Sequence, residues 1–187
     1  MDIESILQRI VILPESSLNK LVAVAETVEL PKGHLLFRED RTENNIYFIQ
    51  SGIVRAFHYH NGAEVTFWFG LEGDPVLSMR SYVENKPGYE TIELLEKAIL
   101  YKFSIRDLFC LYEEDMYIAN WGRKLAEKEL LKTEQNHISR LFKTARERYE
   151  ELMEQNPVLL QRIQLGYIAS YLGITQVTLS RIRANLT

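Results

Sequence analysis

The sequence predicts an α+β fold in which a β-rich body is followed by a long helix and a small all-helical end. Three observations predict it. Short β-type runs cut by glycine turns fill residues 34 to 103. From Glu113 to His137 no proline and no glycine except Gly122 interrupts a helical composition. Near the end, two short amphipathic helical patterns flank Gly173. The domain boundaries this implies are 1–112, 113–138 and 139–187.

The first ~25 residues read as helix, with Ile3, Ile6, Leu7 and Ile10 at helical spacing, then Leu18, Leu21, Val22 and Ala25. Pro14 separates the two runs, because proline lacks the donor a continuing helix needs. Pro31-Lys32-Gly33 then opens the β-type runs: His34 to Phe37, Asn45 to Gln50, Ile53 to His60, Glu64 to Phe69, Tyr89 to Leu95 and Ala98 to Phe103. Asn61-Gly62 between two β-branched and aromatic runs predicts a hairpin, since both turn positions tolerate positive φ. Strands so spaced predict a sandwich or roll.

Ile105 to Leu111 predicts a short helix. Glu113 to about His137 predicts one of roughly 25 residues, or about 37 Å, and Ser139 to Gln155 another, ended by Asn156-Pro157. The apolar residues of the long helix form a broad face, with Ile118, Trp121, Leu125, Ala126 and Leu130 as the candidate dimerisation contacts. The same face also suits a helix packed on its own β body; both outcomes stay open.

The strongest signal is Leu165 to Arg183. Ile168, Ala169 and Leu172 face inward from the first helical run, and Leu179 and Ile182 from the second. Gly173 suits a left-handed helix end and Thr175 a helix cap, which together make a helix-turn-helix pattern. Thr175, Gln176, Thr178, Ser180, Arg181 and Arg183 are the candidate DNA-binding residues. Arg181 is expected at a base edge and Arg183 at a phosphate.

Charge supports this placement. The chain carries −4 overall, but from His137 onward seven Lys/Arg face four acids, and no acid follows Glu154. The lone Cys110 excludes an internal disulfide or a four-thiolate cluster and points to a reducing compartment. The acidic start, Met1-Asp2-Ile3-Glu4, lacks the layout of a secretory signal, and no run approaches the ~20 apolar residues of a membrane helix. A cytoplasmic protein is expected. No phosphate loop, His-Glu-x-x-His or Gly-x-Ser-x-Gly occurs, and the acid runs Glu113-Glu114-Asp115 and Glu150-Glu151 read as solvated helix faces, so no enzyme is expected.

Several segments together resemble the cyclic-AMP-receptor and fumarate-nitrate-regulator (Crp/Fnr) family of bacterial transcription factors. They are Leu30 to Phe37, Tyr47 to Arg55, the turn at Glu72-Gly73-Asp74, Ile92 to Glu96, Arg146 to Tyr149, Ile168 to Thr175 and Thr178 to Arg183. The resemblance spans nearly the whole chain. It implies a cyclic-nucleotide-binding-like β roll (a double-stranded β-helix), a homodimer along the long helix, and a helix-turn-helix that binds a pseudo-palindromic operator. RNA polymerase and a small-molecule effector are further implied partners.

Three departures qualify it. Nucleotide-binding members carry a Glu for the ribose and an Arg for the cyclic phosphate. Here the matching stretches read Leu77-Ser78-Met79 and Tyr89-Glu90-Thr91, with Ser78 for the Glu and Glu90 or Tyr89 at the Arg position. A carboxylate repels phosphate, so a cyclic-AMP response is not expected unless Arg80 substitutes. The expected effector pocket is Leu77, Ser78, Met79, Tyr89, Glu90 and Thr91, with Thr133 from the long helix. Second, a single cysteine excludes an iron–sulfur cluster. His34, His58 and His60 have no ligand spacing that marks a haem or metal site, and no cofactor is expected. Third, Val177 stands where many members place Glu, so a different operator is expected, and the residues after Arg183 leave no room for a full wing. The expected function is a homodimeric DNA-binding regulator. The alternative is a small-molecule sensor whose DNA end is weak or vestigial. A third possibility fills the pocket with the chain's own side chains.

Overall fold

The Pro14 break and the glycine turns appear where the sequence puts them. In a computed structural model the described residues are 1–185; positions 186 and 187, the end of the expected DNA-binding segment, lie outside them. Helices α1 (Ile3–Gln8) and α2 (Glu15–Ala23) lead. The strands follow: β1 (Glu26–Leu30), β2 (Leu35–Phe37), β3 (Asn45–Ser51), β4 (Val54–His60), β5 (Ala63–Gly70) and β6 (Pro75–Val76). A short helix α3 (Met79–Glu84) precedes β7 (Thr91–Leu94) and β8 (Ala98–Ser104). The rest is helical: α4 (Ile105–Glu114), α5 (Met116–Phe142), α6 (Ala145–Gln155), α7 (Pro157–Arg162), α8 (Leu165–Leu172) and α9 (Gln176–Ala184).

The strands form two four-stranded sheets, ordered β1-β8-β3-β6 and β2-β7-β4-β5, which make an open roll. The β4–β5 hairpin turns on Asn61 (φ 52°) and Gly62 (φ 78°), the two left-handed residues that a two-residue loop demands. Gly52, between β3 and β4, is fixed twice over: its φ is 116°, and a Cβ there would stand 2.7 Å from the Cβ of Ala98.

The chain forms two compact units. The first comprises Met1–Ala56 and Phe69–Leu130. Its core joins Ile6, Leu7, Leu18 and Leu21 from α1 and α2 to Ile46, Phe48 and Phe103 of the roll and to Ile118, Trp121 and Leu125 of α5. Phe48 meets Phe103 edge-on and lies beside Trp121, whose indole N–H donates to the Leu7 carbonyl at 3.0 Å. Three dimerisation candidates, Ile118, Trp121 and Leu125, are thereby corrected: their side chains are spent inside their own unit, and no surface remains on them for a second chain.

Two boundaries also move. The long helix starts at Met116, because Asp115 adopts an extended backbone and its carboxylate accepts from the amides of Tyr117 and Ile118. It runs on to Phe142, because the next helix start is written at Thr144. There the Thr144 hydroxyl and the Glu147 carboxylate make a reciprocal capping box.

The second unit comprises Phe57–Trp68 and the residues from Leu131 onward. It thus includes the tip of the β4–β5 hairpin, which the expected 1–112 boundary assigns elsewhere. The attachment is polar. The Ser170 hydroxyl on α8 donates to the Glu64 carbonyl at 3.0 Å and accepts from the Thr66 amide at 2.9 Å, and Arg140 donates to the Phe67 carbonyl. These bonds satisfy backbone groups of β5, the strand at the edge of its sheet.

Candidate nucleic-acid interface and effector site

The helix-turn-helix is built from α8 and α9. Gly173 ends α8 in the left-handed conformation, at φ 68°, and the Thr175 hydroxyl caps α9 by accepting from the Thr178 amide. Ile168, Ala169, Leu172 and Leu179 are buried between the helices, and Ala169 is small enough to let them approach. Tyr149 and Leu152 of α6, with Leu159 and Ile163, complete this core. Arg148 ties the ends together: its guanidinium donates to the Leu172 carbonyl at 2.7 Å and to the Lys143 carbonyl at 2.9 Å. Lys143 and Ser139 both bond Glu151 and hold its carboxyl below the usual range, with Lys143 the larger cause.

All six DNA-binding candidates are exposed. At 100° per residue, Val177 and Arg181 lie nearly opposite buried Leu179 and project straight outward. Arg183 falls nearer the packed flank and makes contacts within the protein. The Ser180 hydroxyl turns back onto the Gln176 carbonyl at 3.0 Å, and the Thr175 and Thr178 hydroxyls meet at 3.0 Å. Arg181, with Val177 and Thr178 beside it, is therefore exposed and turned away from the packed side of α9.

The effector-pocket candidates are split. Ser78, Glu90 and Thr91 are buried, Leu77 is half-buried, and Met79 and Tyr89 are exposed. The reason is local: Ser78 is the N-cap of α3, so the chain turns into a helix there, and Met79 faces out. Thr133 lies exposed on α5, in the part that belongs to the other compact unit. Arg80 does not replace a phosphate-binding arginine either; it is exposed and pairs with Glu84 at 3.8 Å. The buried cation of the roll, Arg55, bonds Glu93 at 2.7 Å.

Three residues outside the expected set complete the cluster around Glu90. The Ser81 hydroxyl accepts from the Glu43 amide and donates to the Lys86 carbonyl. Gly88 is clamped by backbone bonds to Asp40 and Arg41. Burial pushes the Glu43 carboxyl up, a backbone bond from Arg38 pulls it partly back, and the charge of Glu90 adds to the rise. The sequence marks this corner only by Pro87-Gly88. Cys110 is exposed, and among the described residues no group of three or more His, Cys, Asp or Glu is gathered as a metal site requires. Among the described residues no helix is long and apolar enough to cross a membrane.

Residues 27–115 match the cyclic nucleotide-binding domain family. No curated protein sequence matches the chain. Solved structures share its fold. FixK2 from Bradyrhizobium japonicum superposes with a TM-score of 0.75 at 23% identity over 87% of this chain and 84% of that one. The c-di-GMP-responsive global regulator CLP of Xanthomonas campestris gives 0.72 at 16% identity, over 92% and 91%. The catabolite activator protein of Thermus thermophilus gives 0.61 at 20% identity, over 97% and 86%. Residues 27–115 are thus similar to the cyclic nucleotide-binding domain, and along most of its length the chain shares the fold of these three proteins.

Proposed function

We propose that this protein, built on the fold of Crp/Fnr-type regulators, is a homodimeric DNA-binding transcription regulator that does not respond to cyclic AMP. The observation that carries the proposal is the helix-turn-helix itself. A glycine-ended, threonine-capped pair of helices presents Arg181, Thr178 and Val177 outward from an exposed second helix. Arginine can hold a guanine edge with two hydrogen bonds, and valine can pack on a thymine methyl. The dimer rests on what α5 leaves uncovered: Ala126, Leu130, Leu131, Ile138, Leu141 and Phe142 are exposed, Phe142 by 80%. Paired recognition helices would then enter successive major grooves of an inverted repeat in the cytoplasm.

The case against cyclic AMP rests on charge. A cyclic phosphate settling against Ser78 and Glu90 would meet a carboxylate, while Arg80 faces away and Arg55 is engaged by Glu93. The test is selection of bound duplexes from a random pool at ~150 mM salt, with wild type and Arg181→Ala in parallel. An inverted repeat with half-sites ~10 bp apart, lost in the variant, is the expected result. Unchanged selection by Arg181→Ala would overturn the role of Arg181. Absence of any salt-dependent duplex binding, with or without cell extract, would favour a sensor whose DNA end is vestigial.

A further inference from the structure

We infer that the Ser78–Gly88–Glu90 corner of the roll receives a positively charged hydrogen-bond donor, a small organic ammonium or guanidinium group. This deepens the effector reading of the same site and rests on it, though not on DNA binding.

Glu90 is 6% exposed and Ser78 is 2% exposed. Glu90 Oε2 accepts from the Tyr89 amide, but Glu90 Oε1 and the Ser78 hydroxyl are buried without any hydrogen-bond partner. A buried polar atom left unpaired is costly, and a carboxylate oxygen can be satisfied only by a donor. Both atoms lie close against Gly88. A Cβ added at Gly88 would lie 2.6 Å from the Ser78 hydroxyl and 2.9 Å from Glu90 Oε1. Gly88 needs no positive φ, so its lack of a side chain serves this approach and not the backbone.

The sign of the site follows from its neighbours. Glu43 feels the charge of Glu90, which makes the corner doubly acidic. Lys86 and Arg80, the cations nearest in sequence, are exposed and paired with Glu84 at 3.3 and 3.8 Å. An anion would add charge to an acidic pocket. A donor cation would neutralise it and satisfy both orphaned oxygens, and Ser78 can orient its hydroxyl to accept.

The full-length protein is titrated calorimetrically with ethylammonium, agmatine and cyclic AMP, and its melting temperature is followed with each. Saturable binding of ethylammonium or agmatine, weakened at least tenfold by Glu90→Gln and weakened by Ser78→Ala, is the expected result. Without ligand, Glu90→Gln should melt no lower than wild type, because the buried Oε1 has no hydrogen-bond partner to lose and the remaining carbonyl oxygen can still accept from the Tyr89 amide. The inference is overturned if neither cation binds, if Glu90→Gln binds them as well as wild type, if the unliganded variant melts markedly lower, or if cyclic AMP saturates the site. DNA selection that succeeds while both cations fail would reject this ligand chemistry and leave the regulator intact. Cation binding without duplex binding would do the reverse.

Discussion

The two halves of α5 differ in almost everything but helicity. The first half sinks Ile118, Trp121 and Leu125 into the core of the first unit, and Asp115, held by Ser17 and by Lys20 at 2.9 Å, anchors its start. The second half leaves Leu130, Leu131, Ile138, Leu141 and Phe142 in solvent. A helix this long would waste apolar surface if it served only its own chain, since such surface is stabilising only when removed from water. One helix is thus a tether in its first half and, under the proposed dimer, a docking face in its second.

Breaking the tether should give the largest effect. Trp121→Ala removes a fully buried indole and its bond to Leu7, and should cost about 3 to 5 kcal/mol by chemical denaturation. Asp115→Ala removes the cap and should cost about 1 to 2 kcal/mol. Its pH dependence has a definite sign. The bonds from Lys20, then Ser17 and the Tyr117 and Ile118 amides, hold the Asp115 carboxyl below its ordinary value. A depressed folded value contributes stability that is complete above the unfolded value near 4 and is lost as pH falls through the folded one. The gap between wild type and Asp115→Ala in melting temperature should therefore be full at neutral pH and close under acid. The smallest effect on stability belongs to the docking half. Leu130→Glu with Leu141→Glu should change the unfolding of the isolated chain by less than about 0.5 kcal/mol. The same pair should convert a sedimenting dimer into a monomer. A dimer that survives the double charge would show that the exposed half is not the contact.

This division was only half legible in the sequence. Composition and the absence of proline reveal that α5 exists, because those are local properties. Which apolar residue faces which partner is set by α1, α2 and the roll, none of them adjacent in sequence to Trp121. The helix-turn-helix was legible for the opposite reason: Gly173, Thr175 and the spacing of Ile168, Leu172 and Leu179 are all local. Thr144-x-x-Glu147 was equally local and would have placed the end of α5 correctly. The corner at Glu90 was visible as a missing arginine and in the Pro87-Gly88 pair. Its shape depends on α3 starting after Ser78, and on the loop that brings Glu43 to Ser81.

The hairpin tip that joins the C-terminal unit through Ser170 bears on how the molecule can be divided. No single cut separates the two units, because Phe57–Trp68 is encoded inside the first and belongs with the second. A fragment ending at Leu130 would keep the hairpin and lose Ser170, freeing the Glu64 carbonyl and the Thr66 amide on an edge strand. Such an edge is a template for pairing with other chains, and that fragment is expected to aggregate. A well-behaved fragment of the first unit would need the tip shortened at the same time, with a tight turn joining Ala56 to Phe69.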